Sequence, residues 1–258
     1  MPELPDVEGF RRQMERWTRG QRVAGVRVWD RELLRNSSPQ ALGRVLKGAR
    51  LRPDRHGKWL LARVADGDAT LLLHFGMTGL LAWDDAGSRP HRHDRLGLTF
   101  DDCELRYRNM RRFGGYWLAH DDRELEAVTG PLGPDAFAVD EERFRKLLAA
   151  RRGGAKAALM DQRLIAGLGN LLVDEILWRA RVEPRRDIGK VDARKLYRTM
   201  RAVLEESLEH ERVPPIEGWL TGARDAREAR CPRCDRRLRK ETVAGRTTAW
   251  CPRCQRAS

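Results

Sequence analysis

The chain has 258 residues, 41% hydrophobic and 34% charged, which is enough for one large domain or two smaller ones with their own cores and is unlike a disordered chain. Its 51 basic residues outnumber 38 acidic ones, a formal charge of +13, so the first partner to expect is a polyanion, above all a nucleic acid. The opening MPELPDVEGF carries acids where a secretory signal requires a basic region and an apolar run. The longest nearly apolar stretch, residues 164–173, is about half of the roughly 20 residues that a membrane span takes. Four of the five cysteines lie in two CxxC pairs, which fits a reducing cytoplasm better than a secreted disulfide framework.

In chain order, Val7, Phe10, Met14 and Trp17 recur at helical spacing behind Pro2 and Pro5, predicting a first helix whose start is rigid. From residue 23 to about 118 the text changes to short β-rich runs, including 59–64, 70–73 and 105–107, separated by Gly, Asp and Pro clusters. That pattern predicts a β-sandwich or barrel. Gly130-Pro131-Leu132-Gly133-Pro134 can continue neither a helix nor a strand and marks a domain linker. Beyond it the period is helical: Phe144, Leu147 and Leu148; Leu159, Leu164 and Ile165; Leu172, Ile176 and Leu177; then Leu196, Met200, Val203 and Leu208, with Asp192 as a cap. Residues 212–230 lose periodicity and read as a mobile loop.

Cys231-Pro232-Arg233-Cys234 and Cys251-Pro252-Arg253-Cys254 are separated by 16 residues, the spacing by which two thiolate knuckles meet around a tetrahedral Zn²⁺. Cys231, Cys234, Cys251 and Cys254 fill all four positions, so the predicted zinc, one ion, is structural and has no open position for chemistry; a redox dithiol is the alternative. A hairpin of this size has too little core to fold without metal. Arg236, Arg237, Arg239, Lys240 and Arg246 lie between the pairs and can face phosphate or simply water.

Two acids, Glu3 and Asp6, flank the start of the first helix. They either complement a helix N-terminus or serve chemistry: if Met1 is removed, Pro2 becomes a secondary amine able to form an iminium with a sugar carbon. In Gly167-Leu168-Gly169-Asn170 two glycines between apolar helical runs read as a helix stop and restart, with Asn170 as cap of the next helix.

Taken together, MPELPDVE, His56-Gly57-Lys58, His74-Phe75-Gly76-Met77-Thr78-Gly79, Arg111-Arg112-Phe113-Gly114, residues 164–175 and the zinc pairs resemble, in order and over the full length, the formamidopyrimidine-DNA glycosylase / endonuclease VIII family. The resemblance implies an α+β multidomain fold: residues 1–131 an N-terminal helix and antiparallel β-sandwich, 135–222 a helical helix-two-turn-helix region, and 228–258 a zinc-bound β-hairpin. It implies a base-excision repair enzyme acting on damaged double-stranded DNA as a monomer, without a membrane or an obligate protein partner. Pro2 would attack the sugar C1′, expel the base and hold the sugar as a Schiff base, with β- or β,δ-elimination cutting the strand. Glu3 would protonate the opening sugar, a role that requires its surroundings to raise its pKa. Asp6 stands where the family usually has Glu.

By the same resemblance Lys58, His74, Lys156, Asn170 and Arg246 meet phosphates, while Met77, Arg111 and Phe113 fill the gap left by the flipped nucleotide. Two departures stand out. Asn109-Met110 precede the Arg pair where Asp-Pro is common, and residues 219–230 lack the Gly-Arg stretch of members that excise 8-oxoguanine. The alternative reading is a catalytically weak lesion- or abasic-site-binding protein of the same fold; a zinc-ribbon RNA-binding protein would leave Pro2-Glu3 unexplained.

Overall fold

In the computed structural model, which describes residues 1–101 and 103–256, the first helix α1 (Leu4–Thr18) is followed by eight strands. They are β1 (Gly25–Val28), β2 (Leu51–His56), β3 (Trp59–Val64), β4 (Thr70–His74), β5 (Gly79–Asp85), β6 (Asp94–Thr99), β7 (Cys103–Asn109) and β8 (Gly115–Ala119). These make two antiparallel four-stranded sheets, ordered β1-β6-β7-β5 and β2-β3-β4-β8. Alternate residues of β3 and β4, Leu60, Ala62, Leu71 and Leu73, join Leu81, Leu96, Leu98, Leu105 and Tyr107 of the other sheet in one core, as the two-residue period of a strand requires. The outward Leu61 and Leu72 are also buried, with Leu125 and Val128 of helix α3 (Asp122–Thr129) packed on them. Cover on both faces explains why these strands read as unbroken apolar runs.

Within the β-rich stretch lies a helix the pattern reading omits, α2 (Pro39–Leu46), capped by Ser38 and burying Leu42 and Leu46. Its eight residues offer too few turns for a periodicity to register, although Ser-Pro at its start is an N-terminal signal.

The chain separates into two compact units, one of residues 1–2 and 6–131, the other of residues 3–5 and 132–258. The second contains α4 (Glu141–Ala149), α5 (Ala155–Met160), α6 (Asn170–Ala180), α7 (Ala193–Glu209), α8 (Leu220–Ala223) and the hairpin of β9 (Arg239–Val243) and β10 (Arg246–Trp250). Helix α6 is buried on nearly every side, with Leu172, Val173, Ile176 and Leu177 in the core and even Asp174 and Glu175 enclosed. Asp192 caps α7, accepting from the N–H groups of Arg194 and Lys195. Leu159 and Leu164, grouped by spacing, do not share a helix: α5 ends at Met160, and Leu164 lies in the turn that follows.

Residues 212–230 are a correction to the loop reading. Val213, Trp219, Leu220, Thr221 and Arg224 are buried, Trp219 stacks under the Arg179 guanidinium at 4.3 Å, and the Thr221 hydroxyl donates to the Pro214 carbonyl at 2.7 Å. The anchors are irregularly spaced, which is why no period reveals them. No helix among the described residues is long and apolar enough to cross a membrane.

Candidate catalytic and DNA-contacting residues

The turn before α6 positions the first candidate acid. Gly167 has φ +112°, a conformation open to glycine, and its carbonyl accepts the Leu4 N–H at 3.2 Å. Glu3, fully buried, accepts through Oε2 from Gly169 N (3.1 Å) and Leu172 N (3.0 Å) and through Oε1 from Leu171 N (2.8 Å). The carboxylate therefore satisfies the unpaired donors at the start of α6, which has no side-chain cap of its own. Pro2 and Asp6 on either side are half-buried, and Met1 is exposed. A Cβ on Gly169 would lie 2.3 Å from Glu3 Cδ, which is why this position is glycine.

Asn170 is the first residue of α6 rather than its cap, because Glu3 has taken the donors a cap would serve. Its Oδ1 accepts from Lys156 Nζ at 2.7 Å and its Nδ2 donates to the Thr247 carbonyl at 3.0 Å. Lys156, expected at a phosphate, is wholly buried: Nζ also donates to Asp174 Oδ1 (2.6 Å) and Thr248 Oγ1 (2.7 Å). Asp174 Oδ2 accepts from Arg224 (2.8 Å) and from the Ala249 N–H (3.1 Å). Burial lowers the Lys156 pKa and raises that of Asp174, and the attraction between the two opposes both shifts. Asp174 and Arg224 are absent from the sequence-based set; 50 residues apart, they carry no spacing signal.

In the first unit, Gly57 (φ +58°) and Lys58 form the two-residue turn between β2 and β3, where His56 pairs with Trp59. Trp59 in turn pairs with His74, their rings 4.9 Å apart. Burial, and then the Lys58 cation, push the His74 pKa down to about 4. Its Nδ1 accepts the Gly76 N–H, so the neutral ring carries its proton on Nε2.

Met77, Arg111 and Phe113 lie on two loops stitched together by Asn109. Asn109 is fully buried; its Nδ2 donates to the Phe113 carbonyl and to the Tyr107 hydroxyl, both at 2.8 Å, and its Oδ1 accepts from Arg112 N (3.0 Å) and Thr78 Oγ1 (3.3 Å). Arg112 holds φ +56°, its guanidinium on Asp30 and Glu32. On this frame Met77, Met110 and Phe113 remain 40%, 55% and 51% exposed, and Arg111 lies over the Phe113 ring at 5.1 Å. Large apolar side chains on a fixed, solvent-facing frame are suited to replacing base stacking.

The four cysteines form the metal-ligating cluster found among the described residues, with all Sγ atoms within 4.8 Å of one another. The separations of 3.5, 3.6 and 3.9 Å match the roughly 3.8 Å edge of a tetrahedron of thiolates around Zn²⁺. All five cysteines are unbridged. Trp178 of α6 donates its indole N–H to Cys231 Sγ at 3.3 Å, a contact that steadies a thiolate ligand. The residues fit one structural zinc ion, and Arg246 is exposed at the start of β10.

Three family models match in order: the formamidopyrimidine-DNA glycosylase N-terminal domain over residues 1–116, its H2TH domain over 132–214, and a zinc finger found in FPG and IleRS over 230–257. Formamidopyrimidine-DNA glycosylases of Alkalilimnicola ehrlichii and Pelotomaculum thermopropionicum are 35% and 33% identical; each match covers 99% of this chain and 100% and 99% of the relative. Lactococcus lactis Fpg, solved with DNA containing N7-benzyl-Fapy-dG and with abasic-site DNA, superposes with a TM-score of 0.87 in both cases, at 28% identity over 99% of this chain and 100% of that one. The chain therefore belongs to the formamidopyrimidine-DNA glycosylase family and has its bifunctional glycosylase/AP lyase character.

Proposed function

We propose that this enzyme removes damaged bases from duplex DNA with the N-terminal amine of Pro2, exposed by loss of Met1, as its nucleophile. The observation that carries the reading is Glu3: a buried carboxylate, next in the chain to that amine, fixed by three backbone N–H groups. In the glycosylase step the Pro2 nitrogen bonds to C1′, the base leaves with a proton, and opening of the sugar ring gives an iminium. The iminium acidifies C2′–H; removal of that proton expels the 3′ phosphate, and a second elimination expels the 5′ phosphate. Glu3 takes and returns protons, and Asp6, half-buried in the first turn of α1, assists from a side chain one methylene shorter than glutamate.

Lys58, the His74 Nε2–H, Asn170 and Arg246 hold phosphates, while Met77, Arg111 and Phe113 occupy the space of the flipped nucleotide. The Lactococcus lactis complexes contain ring-opened purine and abasic-site DNA, and these two lesions are the substrates proposed here. Residues 219–230 carry no Gly-Arg stretch, so 8-oxoguanine is not among them. The site of action is DNA in the cytoplasm, with one monomer per lesion. A single-turnover incision panel of formamidopyrimidine, abasic and 8-oxoguanine duplexes tests this: incision of the first two is expected, and tight binding without incision of either would instead establish a lesion-binding protein.

A further inference from the structure

Lys156 has three N–H donors, and all three are used: Asn170 Oδ1, Asp174 Oδ1 and Thr248 Oγ1 lie at 2.7, 2.6 and 2.7 Å. With its side chain fully enclosed it has neither a donor nor a path for a phosphate. Asn170 differs. It is half-buried, its oxygen faces the ammonium, and one N–H goes to the Thr247 carbonyl at 3.0 Å, leaving the other. Turning the amide over would set NH₂ against the ammonium and oxygen against the Thr247 carbonyl, two repulsive contacts at once.

We propose that Lys156 is a positioning residue for DNA binding, fixing the Asn170 amide with its oxygen inward so that the turn before α6 presents a donor, and not an acceptor, to a phosphate. The inference rests on the reading that Asn170 meets phosphate. Asp174 and Arg224 complete the device: the carboxylate holds Lys156 in place and is itself held by Arg224 and by the Ala249 N–H. Thr247 and Thr248, on β10, supply the remaining walls, so the zinc hairpin and the phosphate-binding turn share one buried hub.

The test is a double-mutant cycle on binding to a duplex with a tetrahydrofuran abasic analogue, read by fluorescence anisotropy over about 50 to 200 mM salt. The variants are Asn170→Ala, the charge-neutral pair Lys156→Met/Asp174→Asn, and all three changes together. A charge-assisted hydrogen bond to phosphate sets the expected loss at about tenfold or more for Asn170→Ala. The Lys156 pair is expected to lose a similar factor, with no further loss in the combined variant and an unchanged salt slope. A slope shallower by about one, with losses that multiply, would mean that Lys156 contacts phosphate directly and would overturn the proposal. So would Asn170→Ala binding like wild type. Failure of wild type to bind the duplex would instead overturn the proposed function. Should the Lys156 pair not fold, the structure of the wild-type protein on the same duplex decides: Nζ still on its three partners with phosphate at Asn170 Nδ2 is expected, and Nζ on a phosphate oxygen refutes.

Discussion

Gly169→Ala adds one methyl group at a place where nothing reacts. The new Cβ would stand 2.3 Å from Glu3 Cδ, 2.5 Å from Oε1 and 2.7 Å from Cγ, while ordinary contact begins near 3.4 Å, so the carboxylate must retreat by about 1 Å, a displacement that costs on the order of a hundredfold in rate when it misaligns a catalytic group. The retreat also stretches three charge-assisted hydrogen bonds, each worth about 1.5–3 kcal/mol, so the melting temperature falls as well. Gly169 has no positive φ, and the effect is steric alone. Gly43→Ala is the control, since it lies within α2 with no atom within 4 Å of the added carbon, where alanine stabilises a helix by about 0.5–1 kcal/mol. Single-turnover strand cleavage of an abasic duplex, with affinity for the tetrahydrofuran duplex measured in parallel, separates chemistry from folding. Gly169→Ala is expected to cleave about a hundredfold more slowly while still binding; cleavage within twofold of wild type would refute the claim that the turn before α6 places Glu3.

The His74 pKa near 4, against an ordinary 6.5, means that the unfolded chain binds the extra proton first as pH falls. The contribution to stability is complete above about pH 6.5 and declines toward pH 4, by at most about 3 kcal/mol. Urea unfolding should show this decline in wild type and a smaller one in His74→Gln; equal declines would contradict it. Stripping zinc with a strong chelator should unfold the β9–β10 hairpin, read as loss of the near-ultraviolet signal of Trp250, and weaken DNA binding, because the apolar cluster around the cysteines contains little besides Trp178, Leu220, Ala229 and Leu238; an unchanged spectrum in metal-free protein would contradict a structural role. Asn109→Ala removes the four hydrogen bonds to Thr78, Tyr107, Arg112 and Phe113, three of them of 2.8 to 3.0 Å, each worth about 1 kcal/mol, and should abolish the fluorescence change of 2-aminopurine placed opposite an abasic site, with less effect on simple binding affinity.

The parts of the fold legible in the sequence are those whose signal is local. Two CxxC pairs, the short β-rich runs 59–64 and 70–73, and Asp192 ahead of an apolar period each report on neighbours a few residues away, and the structure follows them. The ordered motifs carry the family assignment for the same reason. What remains hidden depends on residues far apart in the chain. Lys156 looks like an exposed cation in Gly-Gly-Ala-Lys, yet three acceptors, from α6 and from β10 some 92 residues away, enclose it. Asn170 looks like a cap until Glu3 is seen to take the same donors from 168 residues upstream. Asn109, noticed only as a departure before the Arg pair, is the tie between two loops. Buried polar groups must find partners wherever the fold offers them, and sequence spacing records none of those distances.

The most direct test of the account is borohydride trapping of the zinc-loaded protein, with Met1 loss verified by intact mass, on a duplex containing an abasic site, followed by peptide mapping of the adduct. A covalent product on the Pro2 amine, lost when the N-terminal amine is blocked, is predicted. An adduct on a lysine, or none from protein that still binds the duplex, would contradict it.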